Sequence, residues 1–178
     1  ILISLAYHEA ERRDLDSGFE LLGRADAVHG LPQRMRGLVA SQRGLLYMRA
    51  ARMGEATAEL DTALRLLDES QPQDICRALL NRGIAAMILG RAAAAKDDLT
   101  RCAGLARRSG LDLLAAKASH NLAYLLMLSG DLPRAMREMD AVAPTLAGES
   151  PASAAVYYVD RAQVMLAAGL LQESDDDL

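Results

Sequence analysis

The chain has 178 residues, about the length of one domain, and a formal net charge of −4 at pH 7. Ala (33) and Leu (31) dominate the sequence, whereas Val, Ile and Thr together contribute 15 residues and aromatic residues make up only 3%. Strands need β-branched and aromatic side chains, while Ala and Leu favour helices, so this composition predicts an all-α protein. The acidic balance argues against a general phosphate-backbone binder, and we expect no nucleic-acid partner.

Cysteine content and hydropathy bear on the compartment. Cys76 and Cys102 are the two cysteines, and no secretory leader precedes them, which favours a reducing cytoplasm. Charged residues interrupt every apolar run before the roughly 18 to 20 residues that a bilayer requires, so no membrane partner is expected. The sequence starts at Ile1 without an initiator Met and stops at Leu178 within an amphipathic segment. We interpret it as a piece of a longer polypeptide.

Proline, glycine and capping residues predict where helices begin and end. Pro32, Pro72 and Pro151 suit first-turn positions, and Ser150 is placed to cap the helix that Pro151 begins. Asp131 is expected to be a second N-cap, and the glycines after His29 and Ser109 are expected to end helices. In chain order, the expected helices are 1 to 13, 15 to 29, 32 to 53, 55 to 70, 72 to 89, 91 to 109, 112 to 129, 132 to 147, 151 to 168 and 170 to 178.

An internal repeat runs through the chain. The segments that start at Ser41, Leu80 and His120 align without gaps over about 24 residues, and weaker copies start at Leu5 and Tyr158. A column of small residues falls at positions 6, 44, 83, 123 and 162, which gives a period near 39. The later columns are one of small residues (Ala56, Ala95, Ala135), one of large apolar residues (Leu60, Leu99, Met139) and a final one (Ala63, Cys102, Val142).

This pattern resembles the tetratricopeptide repeat (TPR): a small residue, Ala twelve positions later, a large apolar residue four further on and a small one three after that. The resemblance covers essentially the whole chain, although the aromatic expected three residues after the first small position survives only as Tyr47. It implies a right-handed superhelical solenoid of antiparallel helix pairs with about 4.5 repeats. The expected units are 1–30, 31–70, 71–110, 111–149 and a truncated 150–178, in a single array over 1–178.

A finer resemblance lies in short sequence segments within the repeats. Phrases such as LLNRG, ASHNLAYLLMLSGDLPRAM and VDRAQVMLAAGL are similar to the TPR arrays that precede CHAT protease-like domains in actinobacterial proteins. That resemblance implies a bacterial source and an enzyme domain elsewhere in the parent protein.

Catalytic and metal-binding motifs were sought in the same sequence. His8-Glu9 begins like a zinc-protease helix, but Arg12 stands where the second His is required. Cys102 falls in the small second-helix column and is expected to be buried, and no base is evident beside Cys76. We therefore expect no catalytic residues, no metal and no cofactor, and a chain that is not an enzyme.

The TPR resemblance implies that the first helix of each unit lines a concave groove where partners bind. Carried over column by column, it places the partner-binding residues at Leu45, Met48, Arg49, Arg77, Leu80, Ile84, Met87, Lys117, His120, Tyr124, Met127 and Leu128. The same columns include Ile3, Tyr7, Ser41, Ile88, Val156, Val159, Gln163 and Leu166. Met48, Met87 and Met127 share one column, and they either line the groove or pack between neighbouring first helices.

Two interpretations of function remain open besides the stand-alone enzyme that the motif search disfavours. The first is a protein-interaction scaffold that binds a peptide or helical segment, with acidic residues favoured by Arg49, Arg77 and Lys117 at the rim. The second is a regulatory or sensor array of a larger enzyme such as a CHAT-type protease. The expected partner is a protein or peptide, which could be a flanking domain of the parent chain. The incomplete fifth unit also suggests a homodimer through the C-terminal end.

Overall fold

A computed structural model of the protein describes residues 1–12, 14–68 and 70–169. Throughout these residues the secondary structure is helical and no strand occurs, which confirms the predicted all-α class. The described residues form nine helices: α1 (Leu2–Glu11), α2 (Leu15–Asp26), α3 (Gln33–Arg49), α4 (Met53–Leu66), α5 (Pro72–Ile88), α6 (Ala92–Arg108), α7 (Asp112–Leu128), α8 (Leu132–Ala147) and α9 (Pro151–Ala167). The tenth expected helix, 170 to 178, lies outside the described residues.

The local signals at several helix ends act as predicted. The Ser150 side chain accepts a hydrogen bond from the backbone N–H of Ser153, and Pro151 is the first residue of α9. Gly110 has a φ of +67° just after α6, a conformation that costs glycine little. Asp131 is the N-cap residue of α8, but its side chain makes no capping hydrogen bond.

The turn between α3 and α4 corrects the sequence prediction. The helix expected over 32 to 53 ends at Arg49, and α4 begins at Met53 rather than at residue 55. The cause is Ala51, two residues after Arg49, because its positive φ of 57° does not continue a right-handed helix. Glycine occupies the corresponding left-handed position after α5, α6 and α7, so an alanine there gave no sequence signal.

Contacts divide the chain into two units, Ile1–Asp98 and Leu99–Leu178, with the boundary inside α6. In the first unit each helix from α1 to α5 packs against the next, and α3 also packs against α1 and α5. A salt bridge between Arg34 and Asp74 joins the N-terminal ends of α3 and α5 at 2.9 Å, so these two helices run in parallel. We call α1, α3, α5, α7 and α9 the first helices and α2, α4, α6 and α8 the second helices.

The second unit repeats the arrangement with α7, α8 and α9. Helix α8 packs against both neighbours, and α7 also packs directly against α9. Its core combines Ala116, Ala123, Met139, Tyr157 and Val164 from all three helices. That the whole chain forms one array of the predicted units stays a prediction.

Small residues allow the close approach of first and second helices. Gly44 of α3 faces Leu60 of α4, and a Cβ atom built on Gly44 would lie 2.7 Å from Cγ of Leu60. Ala56, in the next column of the repeat, is fully buried, as are Ala95, Ala123 and Ala135. The small columns predicted from the sequence therefore contain buried packing positions, and at Gly44 an added methyl group has no room.

No helix in the described part of the chain combines the length and the apolar character that crossing a bilayer requires.

We predict that Gly44→Ala destabilises the protein by about 1 to 3 kcal/mol, because the new methyl group must displace Leu60. Gly23→Ala in α2 is the matched control, since a Cβ there meets nothing within 4 Å. Alanine at this helical position should stabilise by about 0.5 to 1 kcal/mol. Urea unfolding of both variants measures the difference, and equal effects would show that the Gly44 contact is not tight.

Candidate functional site

The predicted partner-binding residues of the first unit lie along α3 and α5. We call this set, Leu45, Met48, Arg49, Arg77, Leu80, Ile84 and Met87, the unit 1 stripe. Leu80 is buried, with 8% of its surface exposed. Leu45, Met48, Ile84 and Met87 are half-buried, whereas Arg49 and Arg77 are exposed. Most of the stripe therefore has surface that another molecule can reach.

Helix geometry explains why these residues share one face. Arg77, Leu80, Ile84 and Met87 follow one another at steps of three and four, which is the spacing of a single helical stripe. Ile88, next to Met87 at the end of α5, is 60% exposed. The apolar surface of the stripe is thus largest at the C-terminal end of α5.

The second unit carries the other predicted residues on α7. We call Lys117, His120, Tyr124, Met127 and Leu128 the unit 2 stripe. Leu128 is 63% exposed, and Met127 packs partly against the core of this unit. The hydroxyl of Tyr124 donates a hydrogen bond to Oε1 of Gln163 at 3.2 Å. On α9, the same columns leave Val156, Val159 and Leu166 exposed.

The ammonium group of Lys117 is bound within the unit. Its Nζ lies 2.9 Å from Oε1 of Glu149, the residue just before the N-cap of α9. A hydrogen bond from the Ser153 hydroxyl, together with the one from Lys117, holds the pKa of Glu149 below its ordinary value. The ionised carboxylate therefore stabilises the fold above the unfolded pKa, and this contribution is lost as the pH falls through the folded pKa.

His120 is also committed to the fold. Its ring is buried, and Nε2 lies 2.8 Å from Oδ2 of Asp160 on α9, while Nδ1 is buried without a hydrogen-bond partner. The ring also lies 5.9 Å from that of Tyr157. In the first unit, the apolar Leu80 occupies the corresponding column and is buried as well. His120 thus connects α7 to α9, Leu80 is buried, and the role of both residues in binding a partner stays a prediction.

Three arginines that were not among the predicted site residues form salt bridges between first and second helices. Arg43 of α3 binds Asp26 of α2 and Glu59 of α4. Arg82 of α5 bridges Asp61 of α4 and Asp98 of α6 at 2.6 Å each. Each arginine therefore ties its first helix to the second helices on both sides.

Arg161 of α9 makes the equivalent contact with Asp140 of α8 at 3.0 Å. All three arginines directly precede the first small residue of their repeat, so the period itself was a signal that could have identified them. Leu122 stands at this position in α7 and interrupts the series. We call Arg43, Arg82 and Arg161 the arginine bridges.

The carboxylates raise the pKa of two of these guanidinium groups. For Arg82, the hydrogen bonds that its guanidinium donates to Asp98 are the largest cause, and they outweigh the opposing effect of burial. For Arg43, burial opposes the charge most strongly, but hydrogen bonds and attraction from Asp26 and Glu59 exceed it. Both groups stay charged, and their charges are used inside the fold rather than on the stripes.

The described residues offer little that could hold a metal ion. No group of three or more His, Cys, Asp and Glu side chains with suitable positions occurs among them. Cys76 and Cys102 are both fully buried.

Solved structures with a similar fold are TPR-like repeat proteins. BtubC (BKLC) from P. vanneervenii superposes with a TM-score of 0.76 at 20% identity, over 99% of this chain and 75% of that one. A putative kinesin light chain from Podosopora anserina with nearly identical TPR-like repeats gives 0.73 at 18% identity, over 99% and 89%. MamA gives 0.64 at 17% identity, over 97% and 89%.

No protein-family model and no curated protein matches the sequence. The fold is nonetheless defined: the protein is a TPR-like helical-repeat protein, in which pairs of antiparallel helices follow one another. At these identities the similarity shows the fold alone.

We predict that Arg82→Met destabilises the protein by about 2 kcal/mol, because it leaves the nearly buried Asp98 without its cation. Partial exposure of Arg82 keeps the expected loss below that of a fully buried pair. Arg134→Met is the matched control: its 3.9 Å pair with Glu138 is exposed, so the change should stay within about 0.5 kcal/mol. Chemical denaturation at low ionic strength measures both, and equal losses would contradict the bridging role of Arg82.

Proposed function

We propose that the protein is a protein-interaction module that holds a peptide or helical segment of its partner on the first-helix stripes. One observation carries the proposal: large apolar side chains at the C-terminal ends of α5 and α7 are exposed, one next to the unit 1 stripe and one within the unit 2 stripe. Ile88 and Leu128 occupy the same repeat column and are 60% and 63% exposed. Exposed apolar surface of this kind, grouped on one helix face, is typical of interaction sites.

The chemistry of the stripes suits an apolar partner segment. In the first unit, Met48, Ile84 and Met87 are half-buried beside Ile88, so they offer apolar surface without being part of the fully closed core. Methionine side chains are unbranched and polarizable, and they adapt to partners of different shape. An amphipathic helix or an extended apolar segment would bury this surface.

A TPR-like fold is compatible with such a role, since repeats of helix pairs offer extended surfaces for binding. The regulatory array of a larger enzyme such as a CHAT-type protease stays a prediction, as do a partner within the parent chain and a homodimer through the C-terminal end. The described residues contain no feature that favours one of these over an unrelated protein partner.

We predict that Met87→Glu weakens binding of a partner segment by about 2 kcal/mol, roughly a 30-fold rise in Kd, because it places a charge in an apolar contact. Peptides selected from a random displayed library on the wild-type protein supply the probe, and fluorescence anisotropy gives Kd. Val28→Glu is the matched control, because Val28 is an exposed apolar residue in the turn between α2 and α3 and belongs to neither stripe.

Thermal unfolding of both variants accompanies the binding measurement. A Met87→Glu variant that unfolds would show that the methionine column belongs to the core. A variant that folds and binds normally would place the partner on another surface. Either result would contradict the proposal.

A further inference from the structure

We propose that the unit 1 stripe selects partner segments in which acidic residues accompany the apolar ones, and that Arg77 is the residue that determines this selectivity. The inference rests on the proposed function and names the chemical class of its partner. It comes from the charge balance of the first helices, which differs between the two units.

Helix α3 contains four arginines (Arg34, Arg36, Arg43, Arg49) and no acidic residue. On α5 the only acidic residue is Asp74, and its carboxylate is bound by Arg34. Within the unit 1 stripe itself, two residues are cationic and none is anionic. The stripe therefore combines apolar surface with two cationic residues and no anionic one.

The cations stand at opposite ends of the apolar surface. Arg49 is the last residue of α3, where its guanidinium lies 5.4 Å from the ring centroid of Tyr7. Arg77 lies near the N-terminal end of α5, with Ile84, Met87 and Ile88 towards the other end. Since α3 and α5 run in parallel, an apolar segment on the stripe has a cation at each rim.

Arg77 differs in its contacts from Arg34, Arg43 and Arg82, the arginines of α3 and α5 for which the structure shows ion pairs. Arg34, Arg43 and Arg82 are bound to carboxylates of the same unit. Arg77 is exposed and makes no hydrogen bond or ion pair with any residue that the structure describes. A planar guanidinium that need not give up an internal partner can bind a carboxylate with two hydrogen bonds, at little cost.

The second unit lacks this selectivity. Lys117 occupies the repeat column of Arg77, but Glu149 binds its ammonium group, and His120 is bound to Asp160. The rest of the unit 2 stripe is uncharged. Lys117 was expected to favour acidic partners together with Arg77, and the ion pair with Glu149 now restricts that role to the first unit.

The test is selection of peptides from a random displayed library on the full chain, with the wild type and the variants Arg77→Glu, Arg36→Glu and Lys117→Met. Arg36→Glu is the matched control, because Arg36 is an exposed arginine of the same unit outside the stripe. Peptides that bind the wild type should be enriched in Asp and Glu. Arg77→Glu should remove the enrichment and weaken one such peptide about tenfold, with a reduced dependence of Kd on salt.

Arg36→Glu and Lys117→Met should keep both the enrichment in acidic residues and the affinity for the peptide. Arg77→Gln follows if Arg77→Glu lowers the melting temperature, and it should also lose the enrichment. Peptides that need Met87 for binding but show no enrichment in acidic residues would overturn this inference alone. A library that gives no Met87-dependent peptide would overturn the proposed function and this inference with it, and equal effects of Lys117→Met and Arg77→Glu would contradict the role of Arg77.

Discussion

The contact between Leu60 and the bare backbone at Gly44 sets how closely a second helix can approach its first helix. Cγ of Leu60 occupies the space in which any side chain at position 44 would begin. Leu60 is fully buried as a result, and α3 uses its glycine face for the pairing with α4. The adjacent Leu45 then points about 100° away around the helix and is half-buried.

The arginine bridges also connect first and second helices, through ion pairs rather than apolar contacts. Arg43 and Arg82 each reach second helices on both sides of their own first helix, which fixes the spacing of the helix pairs. They also bind four carboxylates of the first unit, those of Asp26, Glu59, Asp61 and Asp98. The unit 1 stripe has two cationic residues and no anionic one, whereas the ammonium group of the unit 2 stripe, on Lys117, is bound by Glu149.

Much of the fold could be predicted from the sequence because its signals are local or periodic. Ser150, Pro151 and Gly110 act locally at the ends of helices, and the small columns repeat at a regular distance. The predicted end of α3 was wrong because Ala51 adopts a backbone conformation that alanine rarely takes. Only the structure shows that Lys117 meets Glu149 and that His120 meets Asp160, since these partners are 32 and 40 residues apart.

The stripes, too, were only partly predictable from the sequence. Their helical spacing was visible in the sequence, but the burial of Leu80 and His120 depends on how neighbouring first helices pack. The arginine bridges were predictable in principle, because they recur at one position of the repeat. They were missed because a search for catalytic or binding residues does not look for charges that are neutralised inside the fold.

A double-mutant cycle between Gly44 and Leu60 tests the central packing claim most directly. Free energies of unfolding are measured for the wild type, Gly44→Ala, Leu60→Ala and the double variant. If the two positions compete for one space, truncating Leu60 makes room for the new methyl group, and the double variant should be more stable than the sum of the single effects predicts by about 1 kcal/mol or more. Additive effects would contradict the account.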